Sequence, residues 1–493
     1  MKSSSPALFE LIKSLTSSEK RYLKLGISGK QPEHLKLFDA IVRLENYDEA
    51  VLKKQNEGSR FAQNLPIYKT YLYQYILNRL AQFYENSESA EVFECIRFAE
   101  VLVEKKLIDQ AAKQLRKGEK LAAKYDLPDM YLLVSKMQRE ILSQSTKMSF
   151  ERNEALYRLR QQALDELALN NEYSRLFSEI SSLQIKIQKA NSPEDIEALE
   201  QWKQQTLLTK QETDLSVPNR ILLLKSMAIY HFTRNEPDKA SDYNKKILNL
   251  LEKESWFNKK HPEQYLSALN NYIIDQLTLM NIPAFEEGLK RLEQVPDNPA
   301  FAKIKNIKSR MFHQRYLLYF NYCYSAKDYN RAMAEMAEFE KGLQNFEGQL
   351  KFHQKLTLHY LAGVLSFGAG QYLEAQNWLF PILQETKAEI VPEVFRHARI
   401  LNLLVHFELG NFEYLESLLL STQRLLMKRG SMSSTEKALW QFLKKTTAFP
   451  NRRTLSKEAE ILRIKYETIG TQAEGRRLFE YIPLMEWLTR LIN

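Results

Sequence analysis

The side chains that could bind a metal or act as nucleophiles are few and scattered in this sequence. Its eight histidines include no pair at the His-x-x-x-His spacing that places two ligands on one helical face. His231 and His406 occupy equivalent places in a repeated pattern, each next to an aromatic residue, which favours structural roles. The two cysteines, Cys95 and Cys323, are 228 positions apart and belong to no Cys-x-x-Cys motif. We therefore expect buried free thiols in a reducing compartment, with neither a zinc site nor a disulfide framework.

Motifs for nucleotide binding and acid–base chemistry lack their key parts. The Gly29-Lys30 pair has neither the spacing nor the following Ser or Thr of a phosphate-binding loop. The run from Gly368 to Gly370 begins like a dinucleotide fingerprint, but it ends a helical pattern instead of following a strand. Glu335 and Glu338 are three residues apart and can share a helical face. We expect this face to be an ordinary solvated helix surface and not a catalytic carboxylate pair. We expect no catalytic residue, no metal, no cofactor and no enzyme activity.

The elements that carry these side chains are predicted to be helices. The chain has 14 Gly and 15 Pro, about 6% of its 493 residues, against roughly 12% in average usage. A fold with many short strands needs such residues at its frequent tight turns, so the composition disfavours β-sandwiches and barrels. An α/β fold is also disfavoured, because the sequence shows no regular spacing of Val/Ile-rich strands between helices. The sequence therefore predicts an all-α protein, globular at 44% apolar and 27% charged residues.

Breaks in the apolar periodicity divide the chain into four predicted segments. Thr16 to Glu19 form a capping box, in which the Thr16 side chain accepts from the backbone N–H of Glu19. Ser192 and Pro193 mark another helix start. The region from Met130 to Ile187 predicts about three helices, and Glu458–Ile469 and Arg476–Ile492 predict the last two. The segments are an N-terminal helical segment (1–90), weakly repeat-like helical hairpins (91–218), clearer repeats (219–425) and a basic C-terminal helical cap (426–493).

One pattern recurs between residues 219 and 425: a helix, a short polar turn, an aromatic residue, two residues, a small residue and a second helix. Its best copies contain Tyr329 with Ala332, and Gly370 with Tyr372 and Ala375. Further copies contain Gly410 with Phe412 and Leu415, Pro237 with Ala240, and Phe285 with Gly288. A small residue lets two helix backbones approach closely, and Gly permits an abrupt reversal of the chain.

These residues resemble the tetratricopeptide repeat (TPR), a helix–turn–helix unit of about 34 residues with a Gly/Tyr/Ala pattern. Taking Ala240, Gly288, Ala332, Ala375 and Leu415 as equivalent, the spacings here are 48, 44, 43 and 40 residues. Helices or linkers longer than those of the family are therefore implied. The resemblance implies an α-solenoid of TPR-like hairpins that forms a right-handed superhelix with a groove. It implies a surface for protein or peptide partners and no particular chemistry.

Five residues of the predicted repeats are candidates for partner binding. Phe232, Tyr324, Phe367 and Phe407 each lie eight positions before the small residue of their repeat. They either fill the core between the two helices or form an aromatic wall of the groove. Asn321 is the fifth candidate, because some tetratricopeptide domains hold a carboxylate terminus through Lys and Asn on successive first helices. Ile229, Val364 and Leu404 take the matching positions, so that clamp is not supported.

Most of the net charge of +9 belongs to one C-terminal stretch. From Arg424 to Lys465 there are 11 Lys or Arg against three Glu. Such clustering attracts phosphate backbones or acidic protein surfaces, and it also occurs on ordinary solvated surfaces. The candidate contacts with an acidic partner or nucleic acid are Lys444, Lys445, Arg452, Arg453 and Lys457.

Taken together, the sequence predicts a non-enzymatic scaffold or adaptor that binds a protein or peptide in the groove of a TPR-like superhelix. The alternative is a nucleic-acid-associated or regulatory protein that uses the basic C-terminal segment or the N-terminal helices. Neither a signal peptide nor a run of 18 apolar residues is present, so we expect a cytoplasmic protein without a membrane partner. The sequence is silent on the partner's identity and the oligomeric state.

Overall fold

A computed structural model describes most of the chain. The described residues are 6–25, 31–44, 47–83, 88–143, 150–302, 304–385, 392–428, 432–448, 452–469 and 478–493. Within these ranges the chain is built from α-helices, a few short 3-10 turns and connecting loops, without a β-strand. The all-α prediction is therefore confirmed for the described residues. The Gly29-Lys30 pair and Arg476 lie outside them.

The chain forms two compact units. One consists of residues 1–183 and 200–226, and the other of residues 184–199 and 227–493. The three boundaries along the chain fall within helices α10 (Phe150–Ile187), α11 (Pro193–Lys203) and α12 (Val217–Thr233).

The first unit begins with short helices and continues with longer ones. Its helices before α10 are α1 (Ala7–Ser14), α2 (Ser17–Leu23), α3 (Glu33–Arg43), α4 (Glu49–Gln55), α5 (Arg60–Gln63), α6 (Leu65–Phe83), α7 (Glu88–Glu104), α8 (Ile108–Lys124) and α9 (Pro128–Ser143). The capping box at the start of α2 is confirmed, since the backbone N–H of Glu19 donates to the Thr16 hydroxyl and the Glu19 carboxylate accepts from Thr16.

The prediction of about three helices between Met130 and Ile187 was wrong. The structure has α9 and then the single 38-residue helix α10. No Gly or Pro occurs within α10, so nothing in its sequence ends the helix earlier. The predicted restart after it is confirmed, because α11 (Pro193–Lys203) begins where the Ser192 hydroxyl accepts from the backbone N–H of Asp195.

The second unit stacks helices in the order of the chain. After α12 they are α13 (Pro237–Lys253), α14 (Ser255–Lys260), α15 (Pro262–Thr278), α16 (Ile282–Gln294), α17 (Ile307–Ser325), α18 (Tyr329–Asn345), α19 (Phe352–Gly368), α20 (Tyr372–Gln384), α21 (Pro392–Glu408), α22 (Phe412–Lys428), α23 (Ser434–Ala448), α24 (Arg452–Ile469) and α25 (Leu484–Ile492). Each helix from α15 to α24 packs against the next along the chain. Such sequential packing is compatible with a helical solenoid.

The end of the chain differs from the prediction of one helix over Arg476–Ile492. A helical turn at residues 478–481 stops at Ile482 and Pro483, and α25 begins only at Leu484. Proline has no backbone N–H to donate, so it cannot continue the turn before it. We refer to residues 478–493 as the C-terminal segment.

Candidate functional site

The same turn closes successive helical hairpins and fixes their register. A residue with positive φ follows the first helix of each hairpin: Lys106, Asn235, Met280, Lys327, Gly370 and Gly410. At Gly370 the backbone N–H donates to the carbonyl of Phe367, and the next N–H, that of Gln371, donates to Ser366. Matching bonds occur at the other five turns. This Schellman geometry satisfies carbonyls at the end of a helix that would otherwise lack partners.

The turns correct the repeat register predicted from the sequence. Ala240, Ala332, Ala375 and Leu415 each lie five residues after a left-handed turn residue, as predicted. Counting five residues from Met280 reaches Phe285, so Gly288 is not the equivalent residue. The spacings between equivalent residues are therefore 45, 47, 43 and 40. Gly288 has a different role: a Cβ there would lie 2.6 Å from the Ile273 side chain, so the residue permits close packing of α16 on α15.

In this register, one face of each first helix is defined by the residues 13, 10, 6 and 3 positions before the turn residue. We call this face the first-helix stripe. Its members are Ser267, Asn270, Ile274 and Leu277 on α15; Gln314, Leu317, Asn321 and Tyr324 on α17; Thr357, Tyr360, Val364 and Phe367 on α19; and His397, Ile400, Leu404 and Phe407 on α21. The members on α15 and α17 are partly or fully exposed, whereas all but Thr357 on α19 and α21 are buried.

The C-terminal segment covers the stripe on α19 and α21. The Tyr360 hydroxyl donates to the carbonyl of Tyr481 at 2.7 Å, and the ring of Tyr481 stacks on His397 with centroids 4.3 Å apart. On the last turn of α17, the Tyr324 hydroxyl donates to the carbonyl of Phe479 at 2.9 Å. Both carbonyls belong to the helical turn before Pro483, where no following backbone N–H reaches them. Two tyrosines of successive first helices thus hold the end of that turn.

Helix α25 continues this contact along the ends of the same first helices. The Trp487 indole is fully buried, donates its Nε1–H to Glu408 at 2.6 Å and meets the ring of Phe407 edge-on. Arg490 donates to the carbonyl of Gly368 at 3.0 Å, and Glu486 pairs with Lys327 at 2.5 Å. The segment therefore reaches α17, α19 and α21, and does not only cap the last repeat as predicted.

Burial around this contact shifts several pKa values. Desolvation lowers the pKa of His397 to about 4, so the imidazole that stacks on Tyr481 is neutral at pH 7. Desolvation also raises the pKa values of Tyr324 and Tyr360 above the ordinary tyrosine value. Their hydroxyls therefore keep the protons that they donate.

Between α15 and α17 the stripe borders an open cleft. The cavity there has a volume of about 550 Å³. It is walled by the apolar residues Ile274, Leu277, Met280, Leu317 and Leu318, with polar atoms from Thr278, Gln314, Asn321 and Ser325. Ile274 is 41% exposed and Met280 48% exposed. Ile274, Asn321, Val364 and Leu404 occupy the same position, six residues before the turn residue of their hairpin. Val364 and Leu404 are buried. The first-helix stripe is therefore filled on α19 and α21 and open between α15 and α17.

The cleft becomes polar toward the start of both helices, where a second cavity of about 320 Å³ adjoins it. Arg310 donates two bonds to Glu263, at 2.7 and 2.8 Å, so the two charges neutralise each other. The Gln314 amide donates to the side-chain carbonyl of Asn270. Desolvation lowers the pKa of His313 to about 4, which leaves its ring neutral. This end of the cleft is therefore polar without a net charge.

A cleft with the same register occurs in the first unit. Phe93, Ile96, Glu100 and Val103 lie 13, 10, 6 and 3 positions before Lys106. Together with residues of α9 they line a cavity of about 610 Å³. No site was predicted there from the sequence, although Ala111 lies five residues after Lys106, as the equivalent residues of the second unit do after their own turn residues.

The five predicted partner-binding residues are placed in different surroundings. Phe367 and Phe407 are buried in the apolar cluster that also contains Trp487 of the C-terminal segment, and the partly buried Tyr324 donates to the carbonyl of Phe479. Phe232 is 39% exposed, and the Lys189 ammonium lies 3.7 Å from its ring centroid. Asn321 lines the open cleft and donates to the carbonyl of Leu317 at 2.6 Å. Sequence reasoning missed Ile274 and Leu277, because the shifted register hid their equivalence to Asn321 and Tyr324.

The predicted basic surface lies on α23 and α24. Lys444, Lys445, Arg453 and Lys457 are exposed, and Lys445 also pairs with Glu458 at 2.6 Å. The side chain of Arg452 lies outside the described residues. The nearby aromatic rings of Trp440 and Phe442 are buried, so they offer no exposed platform for base stacking.

Chemistry-bearing groups do not converge in the part of the chain that the structure describes. It contains no group of three or more His, Cys, Asp or Glu residues able to hold a metal ion. Desolvation raises the pKa of Cys323 to about 12 and also raises that of Cys95, so both buried thiols stay protonated. None of the described helices combines the length and the apolar character that a membrane crossing requires.

The chain was compared with protein-family models, with curated proteins and with solved structures. None of the three comparisons gave a match.

Proposed function

We propose that this protein is a non-enzymatic scaffold or adaptor that binds a protein partner in the groove of a TPR-like superhelix. The observation that carries the proposal is the open cleft between α15 and α17. Ile274 and Met280 expose apolar surface there, while the equivalent face of the next two first helices is covered by the chain's own C-terminal segment. An exposed apolar cleft with a few polar groups is a common form of binding site.

The recurring hairpin turn supports the TPR-like part of the proposal. Equivalent residues recur every 40 to 47 positions, and each first helix ends in the same left-handed turn. Repeats of this kind stack so that their first helices form one continuous surface, which suits the binding of another chain. The period exceeds the roughly 34 residues of the tetratricopeptide family, so TPR-like describes the hairpin and not its exact length.

The test compares two variants in affinity capture from cells that naturally make the protein. Ile274→Glu places a carboxylate in the open cleft. Leu373→Glu places one on α20, where Leu373 is 65% exposed and lies outside the cleft. We expect one or more proteins to be captured by the unaltered chain and by Leu373→Glu, and lost with Ile274→Glu. If the two variants retain the same partners, the cleft is not the binding site.

A further inference from the structure

We propose that the open cleft between α15 and α17 binds an amphipathic helix of a partner protein, whose apolar face resembles that of α25. The inference rests on the proposed scaffold function and names the kind of partner that the cleft fits. It starts from the way in which the chain fills the rest of the first-helix stripe.

Helix α25 shows what this surface accepts. Its buried residues Leu484, Trp487 and Leu488 follow the i, i+3, i+4 spacing of an amphipathic helix. They belong to the same apolar cluster as Val364 and Leu404, the stripe residues of α19 and α21. The contact needs no extended backbone pairing, because side chains of the first helices hold the helical turn and α25 directly.

The open cleft continues this interface. Tyr324 contacts the C-terminal segment, and Asn321, one turn earlier on the same face of α17, lines the cleft. On α15, the cleft runs from Ser267 to Met280, which is about 20 Å at 1.5 Å per residue. That length accommodates between three and four turns of a partner helix, about one turn more than the nine residues of α25.

The polar atoms of the cleft suit the end of a helix. Asn321 lines the cleft and donates a side-chain N–H to the carbonyl of Leu317, while its side-chain oxygen is a hydrogen-bond acceptor. Ser325, also in the cleft wall, carries a hydroxyl that can donate to a terminal carbonyl, as Tyr324 and Tyr360 do for the C-terminal segment. Helix ends leave such groups without partners inside the helix, so the cleft can satisfy them.

The charges at the cleft favour an electrically neutral apolar face. Glu263 and Arg310 neutralise each other, and His313 is uncharged at pH 7. Lys327, beyond the apolar end, is paired with Glu486. Helix α25 itself carries one acidic and one basic residue, Glu486 and Arg490, and so has no net charge from its side chains.

The test uses a fluorescent peptide with the sequence of residues 478–493 and the full chain. The chain's own C-terminal segment competes for the covered stripe at a high effective concentration, so added peptide reports on the open cleft. We expect saturable binding by fluorescence anisotropy, weakened at least about 10-fold by Ile274→Glu or Met280→Glu and unchanged by Leu373→Glu. A peptide carrying the Leu488→Glu change should not bind, because a carboxylate would interrupt its apolar face.

Three results would overturn the inference. One is no binding of the peptide to the full chain, and another is equal binding to all three variants. The third is concentration-dependent dimerisation of the full chain, measured by analytical ultracentrifugation and abolished by Ile274→Glu, since the occupant would then be a second copy. Loss of cellular partners with Ile274→Glu, without peptide binding, would overturn the helical occupant while leaving the scaffold proposal supported. Peptide binding without any captured cellular partner would support a helical occupant of the cleft and contradict the scaffold proposal.

Discussion

The bond from Tyr360 to the C-terminal segment allows a quantitative test of how that segment is held. Tyr360→Phe removes only the hydroxyl, which is buried and lies 2.7 Å from the carbonyl oxygen of Tyr481. The change loses one hydrogen bond and leaves a carbonyl without its partner, a combination that costs about 2 kcal/mol. At 1.4 kcal/mol per factor of ten, the opening equilibrium of the segment should rise about 30-fold.

Hydrogen exchange of the full chain, followed by mass spectrometry, measures this opening directly. Peptides that cover residues 478–493 should exchange about 30-fold faster in Tyr360→Phe, with α15 and α16 unchanged. The matched control is Tyr414→Phe, because Tyr414 is 53% exposed and its hydroxyl makes no hydrogen bond among the described residues. Equal exchange in the two variants would refute the conclusion that Tyr360 holds the segment in place.

Three further predictions concern the turns and the buried ionisable groups. Gly410→Ala should destabilise the protein by about 1 kcal/mol in urea unfolding, because φ is +72° at Gly410 and the new Cβ meets no other atom. Gly348→Ala, at an equally open site without positive φ, should change stability by less than about 0.5 kcal/mol, and equal effects would contradict the strain argument. Burial raises the pKa of Asp275 to about 6, so its contribution to stability is complete below pH 4 and is lost as the pH rises to 6. Asp275→Asn should therefore be more stable than the unaltered chain at pH 7, by about 2 kcal/mol, and a lower stability would refute this. The pKa of His397 is lowered to about 4, so stability should fall as the pH drops from 6.5 to 4, and His397→Phe should reduce that loss of stability in acid urea titrations.

Local signals in the sequence predicted much of the helical framework. The capping box at Thr16 and the helix start at Ser192 are set by side chains within three or four residues of the atoms that they bind. Gly370 and Gly410 were recognisable as turns because glycine adopts positive φ without strain. The fold class and these boundaries therefore followed from composition and short-range chemistry.

The candidate site was harder to predict, because it depends on register and on distant contacts. Met280 adopts positive φ without being glycine, so the sequence does not mark its turn, and the repeat at Phe285 was misplaced by three residues. The partner of the Tyr324 hydroxyl lies 155 residues away along the chain. No periodic pattern near Tyr324 indicates that the C-terminal segment contacts this residue.

The separation between Tyr324 and Phe479 also has a consequence for how the chain is made. At a synthesis rate of roughly 5–20 residues per second, the 155 residues between them take about 8 to 30 s to be added. Helical hairpins form in far less time, so α17 and α19 are folded long before the segment that covers them exists. Val364 and Phe367, which are buried in the folded chain, lack this cover until residues 478–493 have been added. Transiently exposed apolar surface favours aggregation, so we expect the growing chain to be more prone to aggregation until residues 478–493 have been added.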